Sequence, residues 1–207
     1  MSLLTTWGYT IKDADALSDM LTVNEFNTMT ANKFAGDTRI SGAISAASMA
    51  VRNHCDWHLS PSQACEFTET MLRQNGRIKR IGCDLIIQLP ATCVSKVNSV
   101  TIDGDDFTEY SLSTNGTLHL FDVPRLSRKS SIVVAYVAGL GDALMNGVKD
   151  LVAHRVAHAL AAPAGVQSES AGGVSVTYST NWVNSSLSAL AETDKEMLAP
   201  YKLRGVF

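Results

Sequence analysis

Residues 131–137 read SIVVAYV, a β-branched and apolar run that ends near Gly139. A run of this length and composition, bounded by glycine, is typical of a buried β-strand. Directly after it, residues 142–162 place apolar side chains at helical spacing until Pro163. The change of period near Gly139 predicts that a region of strands ends there and that a long helix follows.

Further short strand patterns precede this run. Residues 84–89, 97–102 and 117–121 are apolar or alternating over strand lengths, and they are separated by the turn-forming pairs Asp103-Gly104 and Asn115-Gly116. Four or more short strands with turns between them predict a small antiparallel sheet or sandwich.

Two helices are predicted upstream of the strands. Thr22 and Glu25 have the spacing of a capping box, which opens a helix over residues 22–36. A second helix is expected over residues 37–55, because its apolar residues recur at helical spacing and small residues fill much of the rest.

Two shorter elements are predicted near the end of the sequence. Val174, Val176 and Tyr178 alternate with polar residues, which indicates one strand with one apolar face. Thr193 and Glu196 repeat the capping-box spacing and predict a short last helix.

These elements predict an α+β protein. The simplest assembly is a helical bundle with a small antiparallel β-module inserted between its second and third helices, followed by a C-terminal strand and a short helix. Residues 1–60 would then supply the N-terminal helices of the bundle, residues 61–140 the inserted module, and residues 141–207 the long helix, the β-arm and the C-terminal helix and tail. The alternative is two domains divided near residues 60 and 140.

Composition narrows the function classes. The 207 residues carry 17 Lys and Arg against 20 Asp and Glu, a net charge of −3 at pH 7. This balance argues against a protein that grips nucleic acid through its whole surface. The apolar runs are far shorter than the ~20 residues of a membrane-spanning helix, and the first residues lack the pattern of a secretory signal. We therefore expect a cytoplasm-like compartment and no membrane partner.

Two sequence features contain residue types that bind metal, but their spacing favours simpler interpretations. Cys55, Cys65, Cys83 and Cys93 lack the two-residue gap of a zinc knuckle or redox motif, which predicts reduced and partly buried thiols. The acidic residues of 103–106 lack the later Glu of a calcium loop, so a solvated hairpin turn is expected there.

A histidine pair is the strongest candidate for chemistry. His154 and His158 lie four residues apart on the predicted long helix, so they share one face and could hold a zinc ion. Arg155 stands where a zinc peptidase of the two-histidine type carries its catalytic Glu, and no third ligand follows at a fixed spacing. We favour an exposed or interface histidine pair, and we predict no metal and no cofactor. A metal-dependent hydrolase that uses His154 and His158 is kept as an alternative.

Two further polar groups are open to more than one interpretation. The stretch 54–58, HCDWH, could suggest a Cys–His nucleophile pair, but adjacent helical residues point about 100° apart, so a helix end with a core tryptophan is favoured. Basic residues lie between positions 73 and 80 and indicate either a solvated strand edge or a contact for an acidic partner; these are Arg73, Arg77, Lys79 and Arg80. No catalytic residue is predicted.

Three stretches, in this order, carry a family resemblance. Residues 50–58 read AVRNHCDWH, residues 159–170 read ALAAPAGVQSES, and residues 198–205 read LAPYKLRG. Together with the β-region between the first two, they resemble the head–tail connector proteins (adaptor or head-completion proteins) of tailed bacteriophages. The resemblance covers most of the chain from about residue 22.

The resemblance implies a structural virion protein without catalysis. Such adaptors form a ring, usually of twelve subunits, beneath the portal protein, extend the DNA channel and present a surface to a stopper or tail-completion protein. Genomic DNA would pass through the lumen without sequence-specific binding. The implied location is the head–tail junction of the virion, and the host cytoplasm before assembly. Another neck component, such as a stopper or tail-completion protein, is the alternative within this class.

Two segments are predicted to contact partners in that role. The strand of Val174, Val176 and Tyr178 follows a Gly- and Ser-rich stretch and could pair with a sheet edge of another subunit, or it could form an ordinary internal hairpin. The tail, with an aromatic and basic character that suits interface anchors, is predicted to dock on the portal through Pro200, Tyr201, Lys202 and Arg204.

Overall fold

The protein was analysed as a computed structural model. It describes residues 2–12, 16–71, 76–113, 115–161, 168–171, 174–177 and 190–203, with the backbone alone for 168–171 and 174–177. The chain divides into two units. The strand unit comprises Met1–Ser18, Cys55–Gly141 and Tyr201–Phe207, and the helix unit comprises Asp19–His54 and Asp142–Pro200.

The strand unit contains two antiparallel sheets. Its strands are β1 (Leu3–Leu4), β2 (Thr10–Ile11), β3 (Gln63–Thr70), β4 (Ile78–Ile81), β5 (Asp84–Gln88), β6 (Val94–Ile102), β7 (Asp105–Asp106), β8 (Tyr110–Leu112), β9 (Thr117–Leu120) and β10 (Ser131–Ala138). The larger sheet has the order β1-β2-β3-β10-β6-β7, and the smaller has the order β4-β5-β9-β8. All pairs are antiparallel, as predicted for this region.

The central strand β10 shows why the sequence forms a sheet. Its alternate residues Ile132, Val134 and Tyr136 are fully buried, each with 0% exposed surface. Val134 lies opposite Phe67 on β3, which is also buried. Because side chains alternate between the two faces of a strand, this pairing places one face of β10 in the core. The β-branched run of residues 131–137 thus forms the strand that lies between β3 and β6 in the larger sheet.

The helix unit contains four helices and one hairpin among its described residues. These elements are α1 (Val23–Met29), α2 (Ile40–Cys55), α3 (Asp142–Ala161), β11 (Ser168–Ala171), β12 (Val174–Thr177) and α4 (Glu192–Leu198), followed by a 3-10 turn (Ala199–Tyr201). The last residue of α2 and the last of the 3-10 turn belong to the strand unit. Helix α3 buries one broad stripe that includes Val148, Val152 and Val156, which is the apolar face predicted for it.

Helix α1 is shorter than predicted. The capping box is confirmed, because Thr22 Oγ1 accepts from the Glu25 N–H while Glu25 Oε2 accepts from the Thr22 N–H. The helix ends at Met29 rather than near Gly36, since Ala31 and Asn32 adopt left-handed conformations with φ of 50° and 60°. Left-handed residues cannot continue a right-handed helix, so the remaining residues up to 36 form turns.

Several strands were not predicted. Strands β1 and β2 lie in a segment with little sequence pattern, and β2 pairs with β3 through Ile11 and Cys65. Strand β3 buries Cys65, Phe67 and Glu69 on one face, so a carboxylate interrupts the apolar alternation. Strand β4 is an edge strand with a polar sequence, and three of its four residues are exposed.

A neutral polar network ties the start of the chain to the larger sheet. The Tyr9 hydroxyl lies 2.7 Å from His58 Nδ1 and accepts from the His58 backbone N–H at 3.0 Å. His58 Nε2 lies 3.0 Å from the Ala138 carbonyl oxygen. A carbonyl oxygen only accepts, so His58 donates from Nε2, and in the neutral ring Nδ1 then accepts from the Tyr9 hydroxyl. Both side chains are buried, and each hydrogen-bonding group in this chain of contacts has a partner.

The α+β class is therefore confirmed. The arrangement of the helices as one bundle with an inserted module stays a prediction, as do the predicted divisions at residues 60 and 140. Among the described residues, no helix combines the length and apolarity that crossing a membrane requires.

Candidate partner interface

The strand predicted around Val174 is one arm of a hairpin. β12 pairs antiparallel with β11, with Ala171 opposite Val174 and Ser168 opposite Thr177. Val174 and Val176 lie in this strand, two residues apart, as predicted, and Tyr178 lies outside the described residues. This pairing matches the internal-hairpin interpretation along one edge of β12. Pairing of its other edge with a neighbouring subunit stays a prediction.

The end of the described chain is fixed through its backbone. The Trp57 indole N–H donates to the Tyr201 carbonyl oxygen at 2.7 Å. The Leu203 N–H donates to the Cys55 carbonyl oxygen at 2.9 Å. All four residues belong to the strand unit, and Trp57, Cys55 and Leu203 are buried. Two hydrogen bonds and a buried leucine therefore hold residues 201–203 in one conformation.

The side chains predicted to contact the portal differ in exposure. Pro200 and Lys202 are exposed and Tyr201 is partly exposed, while Arg204 lies outside the described residues. The backbone contacts therefore leave the side chains of these residues accessible. A surface that is already ordered loses less conformational entropy when a partner binds it.

Helix α4, which leads into this segment, is anchored in the helix unit by a buried ion pair. Arg155 Nη1 donates to Asp194 Oδ2 at 2.5 Å, and the two side chains are only 4% and 11% exposed. Asp194 Oδ2 also accepts from the Ala191 N–H at 3.2 Å. The predicted Thr193–Glu196 capping box is therefore wrong. Because α4 begins at Glu192, Thr193 already lies inside its first turn.

The histidine pair lies on the exposed side of α3, as its sequence spacing indicated. Nε2 of His154 and Nε2 of His158 are 3.1 Å apart, and the ring centroids are 4.3 Å apart. A cavity of about 270 Å³ beside them is also lined by Thr30, Lys33 and Phe34. Partial burial, and secondarily the neighbouring His154, lower the pKa of His158 below its usual value. Within the described residues, no group of three or more His, Cys, Asp or Glu side chains could hold a metal ion.

All four cysteines are free thiols. Cys55 and Cys65 are buried, and loss of hydration raises the pKa of each to about 12. A thiol with so high a pKa is almost entirely protonated at neutral pH and is a poor nucleophile. Cys55 therefore behaves as a small core residue, as interpreted from its place at the end of a helix beside Trp57.

The basic group between residues 73 and 80 lies partly on an edge strand. Lys79 and Arg80 are exposed on β4, Arg77 is half-buried, and Arg73 lies outside the described residues. Arg80 donates from Nη2 to the Val123 carbonyl at 2.7 Å and from Nε to the Gly82 carbonyl at 3.1 Å. This arginine therefore closes a loop of the smaller sheet while it lies on its exposed edge.

Three residues that hold α4 and the C-terminal segment in place were hard to identify from the sequence. Trp57 was placed in the core, but its bond to Tyr201 spans 144 residues and no local pattern indicates it. Arg155 offered a clue, because an arginine between Val152 and Val156 on an apolar helix face needs an acid to pair with. Asp194 is that acid, and only the fold identifies it.

The range that carries these features matches a known family. A family model described as "Head completion protein" matches residues 19–202, a range that includes the helix unit, most of the strand unit, and Tyr201 and Lys202 of the C-terminal segment. The chain belongs to the head completion protein family. No curated protein matches the chain in sequence.

Membership confirms the resemblance to bacteriophage head-completion proteins that three sequence stretches indicated. This head completion protein is a structural protein of the phage head, and its family implies a place in the virion and contacts with other head or neck proteins. A structural family fits the prediction of a non-enzyme.

Proposed function

We propose that this head completion protein is the connector that forms a ring beneath the portal, extends the DNA channel and offers a docking surface to the stopper or tail. The observation that carries the proposal is the C-terminal segment. Its backbone is fixed by Trp57 and Cys55, and Pro200, Tyr201 and Lys202 remain accessible on it.

The chemistry of this segment suits docking on another protein. Tyrosine adds a large, rigid contact area, and proline restricts the chain before binding. Lys202 adds a positive charge that can approach an acidic rim on the portal and speed association. Residues 201–203 would bind in a conformation that is already fixed, and Arg204 is included in the proposed contact.

The β11–β12 hairpin supplies a second contact in the proposed ring. Each strand of a two-stranded hairpin has one edge that the hairpin does not use, and such an edge accepts a further strand through main-chain hydrogen bonds. We propose that the outer edge of β12 pairs with the adjacent subunit, with Val174, Val176 and Tyr178 on the contact.

Charge is compatible with a channel through which DNA moves. The net charge of −3 means that the ring as a whole would not neutralise phosphate groups. A wall with little positive charge lets DNA slide, whereas a strongly basic wall would hold it through counterion release.

We also propose that the helices form one bundle into which the β-module is inserted. In chain order, the strand-rich segment Cys55–Gly141 stands between α2 and α3, and the helix unit is built from the residues on either side of it. This order supports a helical bundle that carries an inserted β-module.

The first test is the mass of the native complex with the portal ring of the same phage. A discrete complex with one copy of this protein per portal subunit is expected. If both proteins are folded and no complex forms, the protein is not the connector at the portal, and the assignment moves to a neck component further from it.

Point variants locate the contact. Y201A and K202E should weaken portal binding at least tenfold with little effect on the thermal unfolding temperature, because the bonds that fix the segment use backbone atoms. K129E is the matched control, since Lys129 is an exposed lysine in a loop of the strand unit. Truncation after residue 192 is unsuitable, because it would also remove Asp194 and the buried Leu198.

A further inference from the structure

The exposed end of α3 carries a feature that the connector role does not use. Nε2 of His154 and Nε2 of His158 are 3.1 Å apart. A divalent metal ion binds imidazole nitrogen at about 2.0–2.1 Å, so two such ligands lie about 3.0 Å apart at a right angle and about 3.4 Å apart at a tetrahedral angle. The observed separation falls between these values. Both ring nitrogens are therefore spaced to bind one ion without a change of helix register.

A metal ion can also replace the hydrogen bond that joins the two rings. A hydrogen bond between two Nε2 atoms needs one donor and one acceptor, so a single proton lies between the rings. A divalent ion can take the place of that proton, since metal binding to imidazole requires the neutral nitrogen and displaces a proton. Lys33 is the cationic residue that lines the adjoining cavity, and its Nζ lies over the Phe34 ring, 5.4 Å from the centroid.

The cavity beside the pair provides room for the remaining ligands. Its volume is about 270 Å³, and a water molecule occupies about 30 Å³ of liquid. Several water molecules could therefore complete a tetrahedral or octahedral shell. Imidazole nitrogen selects zinc, nickel and copper over magnesium and calcium, which prefer oxygen ligands.

We propose that His154 and His158 form a two-imidazole site for a divalent transition-metal ion, with water in the open coordination positions. The ion would link successive turns at the end of α3 and so stabilise the helix unit by binding the folded state. The site makes no use of the portal contact, so its failure would leave the connector proposal unaffected.

The test uses the untagged full-length protein. Calorimetric titration with ZnCl₂, NiCl₂ and CuCl₂ should each show one site, tightest for Cu²⁺, and MgCl₂ should show none. The same ions should raise the thermal unfolding temperature. H154A and H158A should each weaken binding at least tenfold, because a single imidazole cannot chelate. Equal binding by wild type and both variants would overturn the proposal.

A matched control separates chelation from the number of histidines. The double variant H158A/L144H keeps five histidines, as in the wild type, but places the two helical histidines about 15 Å apart along the axis. Leu144 is exposed on the same helix, and an apolar residue, Val148, stands four residues after it. The control should bind as weakly as H158A. Wild-type affinity in this variant would contradict a chelate.

A measurement on the wild-type protein tests the site without relying on variants that could misfold. Cu²⁺ at substoichiometric amounts should broaden the imidazole NMR signals of two histidines and leave the other three sharp. Uniform broadening of all five would show that no preferred site exists.

Discussion

The two units attach distant segments of the chain in different ways. In the strand unit, residues near the start of the chain are held through Tyr9 and His58 by hydrogen bonds that a neutral imidazole satisfies. In the helix unit, α4 is held through the buried ion pair of Arg155 and Asp194. Both attachments join residues far apart in sequence, but only one of them buries charge.

This difference has energetic consequences. Removing one partner of a neutral buried hydrogen bond costs about 1–3 kcal/mol, because the other group stays dehydrated and unpaired. Removing one partner of a buried ion pair costs about 3–5 kcal/mol, because a whole charge is left without compensation. The attachment of α4 should therefore be the more sensitive of the two to single substitutions.

The largest expected effect is that of D194A. Loss of the carboxylate breaks the buried ion pair between Asp194 and Arg155 and should lower the free energy of unfolding by about 3–5 kcal/mol. Urea denaturation followed by circular dichroism measures it.

The control for this variant replaces both charges. R155M/D194L puts apolar side chains in the same place and should recover most of the lost stability, because it removes the dehydrated charge. A double variant as unstable as D194A would show that packing, and not charge, dominates this contact.

Next in size is G116A in the strand unit. Gly116 has a φ of 79°, and a Cβ atom there would collide with the Ala91 carbonyl oxygen. The left-handed conformation costs about 1–2 kcal/mol for alanine, and the collision adds about 1–3 kcal/mol. We expect a loss of about 2–5 kcal/mol in the free energy of unfolding.

The matched control is G104A. Gly104 also has a positive φ, 96°, but a Cβ atom would meet nothing within 4 Å. Only the conformational cost of about 1–2 kcal/mol should appear in the same denaturation experiment. Equal losses for the two variants would mean that the loop around Gly116 moves away from Ala91.

A smaller loss is expected for Y9F. This change removes the hydroxyl that contacts His58 Nδ1 and the His58 N–H, and it should cost about 1–3 kcal/mol. Hydrogen exchange of the His58 amide should speed up. Y110F is the control, because Tyr110 is only partly buried on an edge strand; it should change stability by less than about 0.5 kcal/mol. If Y9F loses no more stability than Y110F, the hydrogen bonds of the Tyr9 hydroxyl do not stabilise the strand unit.

The smallest effect concerns pH and lies again in the helix unit. A hydrogen bond from Lys149, followed by the capping contacts of Thr22, lowers the pKa of Glu25 from 4.5 to about 2. A lowered pKa adds stability that is present above pH 4.5 and is lost as the pH falls towards 2. Because the Glu25 side chain is 41% exposed, solvent screening limits the gain to about 0.5–1 kcal/mol.

The variant that tests this contact is E25Q. Its stability should depend less on pH between 4.5 and 2 than that of the wild type, as measured by denaturation at a series of pH values. K149M should reproduce most of that change, since Lys149 is the main cause of the lowered pKa. An unchanged pH dependence in E25Q would show that other carboxylates control acid unfolding.

Helices and strands were predicted best from the sequence where the pattern that marks them lies within the element itself. Helix α2, helix α3 and strands β5, β6, β9 and β10 lie close to their predicted ranges. Apolar residues recur at helical spacing along the two helices, and short apolar or alternating runs bounded by turn residues mark the strands. The capping box at Thr22 was likewise readable, since both partners are three residues apart.

What the sequence did not predict depends on distant contacts. Strands β1 and β2 are two residues each; β1 pairs with β2, and β2 pairs with β3, which lies more than fifty residues later. The fixed conformation of the C-terminal segment depends on Trp57, and the start of α4 on a pairing with Arg155. Local periodicity contains no information on such distant partners. The functional class therefore came from the family resemblance, and the contacts of Trp57 and Arg155 came from the structure.

The contacts of Tyr201 and Leu203 also constrain when the protein can mature on the ribosome. Residues 55 and 57 are synthesised well before their partners at 203 and 201, since the Trp57–Tyr201 contact spans 144 residues. Helix α4 completes the helix unit equally late. The ribosome adds about 5–20 residues per second, so both units stay incomplete for several seconds after most of their residues have been made. A nascent chain stopped short of residue 203 would thus lack the surface proposed to recognise the portal.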